Sequence, residues 1–241
     1  MDQDGKVGRE QSTLPKFFSN FRVAAMVAIL VLLSLPSLGQ NPQLHTKNGS
    51  RFPTVIFTFA FWNANPSYYT IAIDAAGAST YLSAPESLDS TGVPYSLEFQ
   101  ASDHTRRMIF NVARESDFFR GEYEITVDSA QKSPIRTLGF HDLTLNSRIT
   151  YTESVDPDIQ ELTSVFEEIS STLEFGRRLA DLHQHDKPAL QGELLAMQKD
   201  ADRHWLRELQ AVSPVLRSIA TDPGVADQAR AQADRLLRLA H

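Results

Sequence analysis

Two imidazoles and a carboxylate fall within four residues at His183-Gln184-His185-Asp186, a donor set suited to zinc or copper. Together His183, His185 and Asp186 would make a metal-assisted hydrolase centre. Residues two apart on a helix point to different sides, however. The same run also reads as a solvated helix end, where the helix dipole favours histidine. His141-Asp142 and Asp202-Arg203-His204 are isolated pairs and read as surface polar residues. Glu167 and Glu168 are adjacent, so their carboxylates diverge; with Glu161 and Glu174 they read as a solvated helix face. The nucleophile elbow G-x-S-x-G, the zinc helix H-E-x-x-H, the S-x-x-K dyad and both glycine-rich nucleotide loops do not occur. No cofactor is expected.

Aromatic side chains are the other chemically suggestive group. Phe57, Phe59, Phe61, Trp62, Tyr68, Tyr69 and Tyr81 fall within 25 residues. Rings on an exposed sheet face stack on sugars or anchor a peptide. The alternation of Phe57, Phe59 and Phe61 assigns those three to the core. Trp62, Tyr68 and Tyr81 remain as candidates for a ligand-binding surface. Asp117-Phe118-Phe119 predicts one ring under a helix and one at its margin.

These residues need elements to position them. From 52 to 154 the pattern is mostly strand-like. Val55, Phe57, Phe59 and Phe61 alternate with Thr54, Ile56, Thr58 and Ala60, a period of two. Asn65-Pro66-Ser67-Tyr68 is a turn, and Tyr69, Ile71 and Ile73 share one face of the next strand. Asp74-Ala75-Ala76-Gly77 carries hairpin chemistry, because Asp starts the turn and Gly supplies positive φ. Ser79 to Ser83 and the run around Tyr95, Leu97 and Phe99 are further strands. Ser102 or Asp103 then caps a helix with Met108, Ile109, Val112 and Ala113 inward. Short strands follow at 122–127, 135–141 and 143–151.

Residues 155–241 are helical. Asp156-Pro157 supplies an N-cap and a first-turn proline. Ile159, Leu162, Phe166, Ile169, Leu173 and Ala180 make the apolar stripe of a long helix. A second helix starts near Asp186 and Pro188, and a third near Arg203 with Trp205, Leu209 and Val212 inward. A fourth starts at Asp222-Pro223. The predicted fold is α+β: an antiparallel sheet with one packed helix, followed by an antiparallel helical bundle.

Composition and the N-terminus bear on compartment. The chain has 241 residues, a net charge of −7 and no cysteine, so disulfides and thiolate chemistry are excluded. Lys6, Arg9, Lys16 and Arg22 precede an apolar run from Val23 to Leu35, which Pro36 ends. Ser37-Leu38-Gly39 puts small residues before Gln40. Positive flank, short apolar segment and small-residue exit predict a signal peptide over 1–39, cleaved between Gly39 and Gln40, with a polar lead-in over 40–51. About 20 apolar residues are needed to span a bilayer, so a tether over 23–39 is the alternative. The expected location is periplasmic or secreted. An acidic exported chain is a poor partner for nucleic acid, and it meets the membrane only if the N-terminal segment is retained.

Two resemblances follow. Ser213-Pro214-Val215-Leu216-Arg217-Ser218-Ile219-Ala220-Thr221-Asp222-Pro223-Gly224-Val225, with Ala229, Ala233 and Leu236-Leu237, resembles one HEAT-type helical pair within residues 205–240. Tyr69-Thr70-Ile71-Ala72-Ile73-Asp74-Ala75-Ala76-Gly77-Ala78-Ser79-Thr80-Tyr81, the helix before Phe118-Phe119, and the helix after it resemble exported bacterial domains of unknown function. That resemblance implies a fold and a compartment, and assigns no functional residue. The expectation is a non-catalytic module of the cell envelope that binds a protein or peptide. The alternatives are the metal-assisted hydrolase and a membrane-tethered structural component.

Overall fold

The computed structural model describes residues 52–84, 94–123, 125–126 and 133–240. The apolar run 23–35, the Gly39-Gln40 junction and the lead-in 40–51 lie outside the described residues.

Six strands form one antiparallel sheet: β1 (Thr54–Ala60), β2 (Tyr68–Asp74), β3 (Ala78–Ser83), β4 (Tyr95–Gln100), β6 (Ile135–His141) and β7 (Asn146–Tyr151). Their spatial order is β4-β3-β2-β1-β6-β7. The predicted alternation places Val55, Phe57 and Phe59 on the buried face, opposite Ile73, Ile71 and Tyr69 of β2. Across the other side of β1 the same row continues into Phe140 and Leu138 of β6. Asp74 Oδ1 accepts from the backbone N–H groups of Ala76 and Ala78, both at 2.9 Å, and closes the β2–β3 hairpin. Gly77 has φ +89°, the left-handed value this turn requires. Within the strand expected over 122–127, Ile125–Thr126 forms β5, paired with β8 (Glu153–Ser154), while residues 122 and 123 lie outside it. That expected over 143–151 starts only at Asn146, because Asp142 holds a turn through the backbone N–H groups of Thr144 and Leu145.

Helix α1 (Asp103–Glu115) begins at Ser102, whose Oγ accepts from Thr105 N at 3.2 Å. It buries Ile109, Val112 and Ala113 as predicted, together with Thr105; Met108 is only partly buried. Beyond Ser116, the three residues Asp117, Phe118 and Phe119 have φ of 43°, 53° and 64°. A run of left-handed residues costs roughly 1–2 kcal/mol for each side-chain-bearing member. Phe119 is buried beneath it, 2 % exposed.

Helix α2 (Pro157–His185) runs for 29 residues. Asp156 Oδ1 accepts from the N–H groups of Asp158 and Ile159, which is the predicted cap. Ile159, Leu162, Phe166, Ile169 and Leu173 are fully buried. Ala180 is exposed, and Leu179 takes its place in the stripe. Phe166 stacks on Phe57 with ring centroids 5.1 Å apart and planes 3° from parallel, seating α2 on the sheet. Farther along, Gly176 admits Val212, since a Cβ there would lie 2.5 Å from Val212 Cγ1. One hydrophobic cluster therefore runs from the strands through α2 into the C-terminal helices.

Those helices are α3 (Leu190–Asp202), α4 (Ser213–Thr221) and α5 (Asp227–Leu239). The helix expected from Arg203 does not form: residues 203–208 are irregular, and Trp205 is 55 % exposed beneath the Arg203 guanidinium. Glu208 is left-handed, with φ 64°, and breaks the helical path. Its buried carboxylate accepts from Ser102 N and Ser102 Oγ, each at 2.7 Å, so it caps α1 from the far end of the chain. The last helix starts at Asp227 instead of Asp222, because Asp222 Oδ1 binds Gly224 N at 2.7 Å and holds a turn. The observed class is α+β, an antiparallel sheet followed by helices.

Candidate functional site

Where α1 overhangs one end of the sheet, a cleft of about 370 Å³ opens. The sheet side supplies Pro53 at the entry to β1, Ala75 of the β2–β3 turn, and Phe140 and Asp142 at the end of β6. The helix side supplies Arg106, Arg107, Phe110, Asn111 and Arg114, and the left-handed turn adds Phe118. Arg107, Phe110 and Arg114 stand three and four residues apart, the spacing that aligns side chains on one helix face. That face lies away from Ile109, Val112 and Ala113, whose burial orients the helix.

The three arginines differ in what they hold. Arg106 donates from NH1 to the Ala75 carbonyl at 3.0 Å and pairs with Asp103 at 3.1 Å, so it ties the hairpin turn to the helix. Arg107 donates to the Asp103 carbonyl at 3.1 Å, and Arg114 to Asn111 Oδ1 at 3.2 Å. Both acceptors are neutral, and among the described residues neither Arg107 nor Arg114 forms an ion pair. Both side chains are exposed. Phe118 lies 4.5 Å from Phe140, centroid to centroid, giving the cleft an apolar wall. Ser147 Oγ donates to the Phe118 carbonyl and Tyr123 OH to the Ser116 carbonyl, which clamps the strained turn on both sides.

Asp142 is the acidic member of the lining. Backbone N–H groups of Thr144 and Leu145 hold its carboxyl below the usual carboxylate range. It therefore carries its charge at neutral pH, against three guanidiniums. Guanidinium stays protonated and cannot relay protons near neutrality, so this set of side chains suits recognition of an anion beside an apolar group.

The residues singled out from the sequence lie elsewhere, and they do not converge. Tyr81 is fully buried, which corrects its placement on a binding surface. Its hydroxyl donates to Glu174 Oε1 at 2.8 Å, and burial raises its pKa, with the Glu174 carboxylate adding to the shift. Tyr81 pairs with Ile71 and so shares the parity of the core face. Tyr68 belongs to the opposite face, half-buried opposite Ala60. Burial raises its pKa, and a hydrogen bond with Thr58 counteracts part of that. Trp62 is 72 % exposed in the turn after β1. The three rings cannot form one surface.

Glu174 is likewise no part of a solvated face. It is 3 % exposed and also accepts from Ser83 Oγ at 2.8 Å and Arg177 Nε at 2.7 Å.

The histidines separate as their spacing implies. His183 Nε2 lies 2.8 Å from Asp222 Oδ2, an oxygen that also accepts from Lys187 Nζ at 2.7 Å. The Lys187 hydrogen bond, then those from Gly224 N and His183, hold the Asp222 carboxyl far below its ordinary range. His185 bonds back to Asp181 through Nδ1, and Asp186 ends α2. His183, His185 and Asp186 thus have separate roles at a helix end. Among the described residues no group of three or more His, Cys, Asp or Glu is placed to hold a metal ion, and no helix is long and apolar enough to cross a membrane.

The sequence predicts one ring of Phe118-Phe119 under the helix and one at its margin without saying which, and sequence reasoning did not single out Arg107, Phe110 or Arg114. The available signal was their shared face on the helix over 103–115, opposite the apolar stripe. No protein-family model and no curated protein matches this chain.

Proposed function

We propose that this chain is an exported, non-catalytic binding module of the cell envelope, and that it takes a protein or peptide segment in the cleft between α1 and the end of the sheet. The observation that carries the reading is the pairing of two guanidiniums, held only by neutral acceptors, with the phenyl rings of Phe110, Phe118 and Phe140. In a chain of net charge −7, most anionic partners are repelled at long range. A local basic cleft with an apolar wall selects the few that fit it. The basic flank, apolar run and Ser37-Leu38-Gly39 exit support export with cleavage before Gln40. The HEAT-like pair, α4 and α5, packs together at the C-terminal end of the core and supplies a rigid support for the unit.

A peptide-display library panned on the purified full chain and on an Arg107→Glu/Arg114→Glu variant tests this. The wild type should enrich a shared peptide pattern that the variant, melting at the same temperature, does not retain. Identical enrichment by both proteins would remove the cleft as the site.

A further inference from the structure

The cleft constrains the chemistry of its occupant further, if the binding role above is granted. Seven residues separate Arg107 from Arg114, and at a helical rise of 1.5 Å per residue that is about 10.5 Å along α1. Their hydrogen bonds to Asp103 and Asn111, positions about 12 Å apart along the axis, hold the two guanidiniums apart, so one carboxylate or phosphate is too small to engage both. Two anionic groups with a similar separation fit it. In an extended polyproline-like chain, residues i and i+3 project from one side about 9.3 Å apart. Phe110 stands between the two arginines on the helix, and its ring lines the cleft with Phe118 and Phe140. The side chains between i and i+3 of such a chain project about 120° away from the charged side, so one of them turns from α1 toward Phe118 across the cleft, and the matching ligand carries something apolar there. Asp142, ionised in the same lining, disfavours an unbroken acidic run and favours two separated charges. Nucleic acid offers regularly repeated phosphates without an apolar group between them, and the chain's net charge of −7 opposes it.

We infer that the cleft recognises an extended peptide segment bearing two carboxylates three residues apart with an apolar side chain between them. Arg107 and Arg114 each take one carboxylate, and Phe118 takes the apolar group.

Fluorescence anisotropy on the full chain provides the test, with a labelled Glu-Leu-Ala-Glu peptide and an isomer whose glutamates are adjacent. The spaced peptide should bind about tenfold more tightly, a difference of about 1.4 kcal/mol. Arg107→Gln and Arg114→Gln should each weaken it by about tenfold, as expected for loss of one charge-assisted pair. Phe118→Ala should reduce affinity for the leucine peptide while leaving that for a glycine analogue unchanged. Arg217→Gln, on the exposed side of α4, should change nothing. Equal affinity for the two isomers, or equal competition by single-stranded DNA or inorganic phosphate, overturns the inference. If display-selected peptides need both arginines but lack the acidic pair, the inference fails while the binding role survives. If no peptide depends on the arginines, both fail.

Discussion

The seam between the sheet and α2 and the cleft beneath α1 use the same side-chain types to opposite ends. At the seam, charge is consumed internally. Arg136 pairs with Glu167 at 2.8 Å, Arg207 with Glu168 at 2.8 Å, and Glu174 gathers Tyr81, Ser83 and Arg177. At the cleft, Arg107 and Arg114 meet neutral acceptors and face solvent. Phe57 and Phe166 stack inside the core, whereas Phe118 is half-buried over the Phe140 ring and faces the cleft. A guanidinium or a ring therefore reports on function only through its surroundings. Where its partners are all internal it is architecture, and where a concave surface leaves it open it is available to another molecule.

That contrast predicts a graded response to substitution. Phe166→Ala should cost about 4 kcal/mol, because it deletes a fully buried ring and the collapsing seam cannot refill the space. Urea denaturation reads this directly, and a loss below about 1 kcal/mol would show that α2 is loosely seated. Glu174→Ala should cost roughly 3 kcal/mol by stranding the Tyr81 and Ser83 hydroxyls inside the protein. Glu174→Gln, which keeps an acceptor, should cost less, and the two melting curves distinguish lost charge from lost hydrogen bonding.

Alkaline pH probes the same seam. Burial raises the pKa of Tyr81 and Tyr69, and pushes that of Tyr151 up to about 12. A raised phenol pKa means that the folded state keeps its proton after the unfolded chain has lost it. Stability from these groups is thus fully present below about pH 10, the ordinary tyrosine value, and declines as pH rises through the folded-state values. Phenolate absorbance should appear together with loss of near-ultraviolet circular dichroism. Titration of all the tyrosines near their ordinary value in a still-folded protein would contradict the buried seam.

The smallest expected effect is the sharpest for the cleft. Arg107→Glu with Arg114→Glu should leave stability within about 0.5 kcal/mol of wild type, as open surface charges do, while abolishing cleft binding. A large drop in melting temperature would move both arginines into the architectural class.

What was legible in the sequence was local. The period-two run of β1, the Asp74–Gly77 hairpin, the Ser102 cap and the Asp156-Pro157 start all depend on neighbours within a few residues, and each is observed. What was missed depends on distant segments. Tyr81 looked available because its parity relative to Ile71 is set by the hairpin register, which the residue types alone leave open. His183 found its carboxylate at Asp222, 39 positions away, and not at Asp186. The expected third helix failed because Glu208 adopts a left-handed conformation, through which its carboxylate reaches Ser102. The cleft unites Pro53, Ala75, one face of α1 and Phe140. No window of the sequence contains them together, so only the fold assembles the site.

The bond between Glu208 and Ser102 also imposes an order in time. A ribosome releases the strands and α1 well before the residue whose carboxylate anchors the Ser102 cap, which lies 106 positions later. Folding of a nascent chain proceeds from its N-terminus, yet here the helix that carries the cleft lacks this carboxylate until residue 208 has emerged. The N-terminus of α1 is consequently completed only after that residue has emerged. For the exported role proposed above, such a delay would suit passage through a narrow translocation channel.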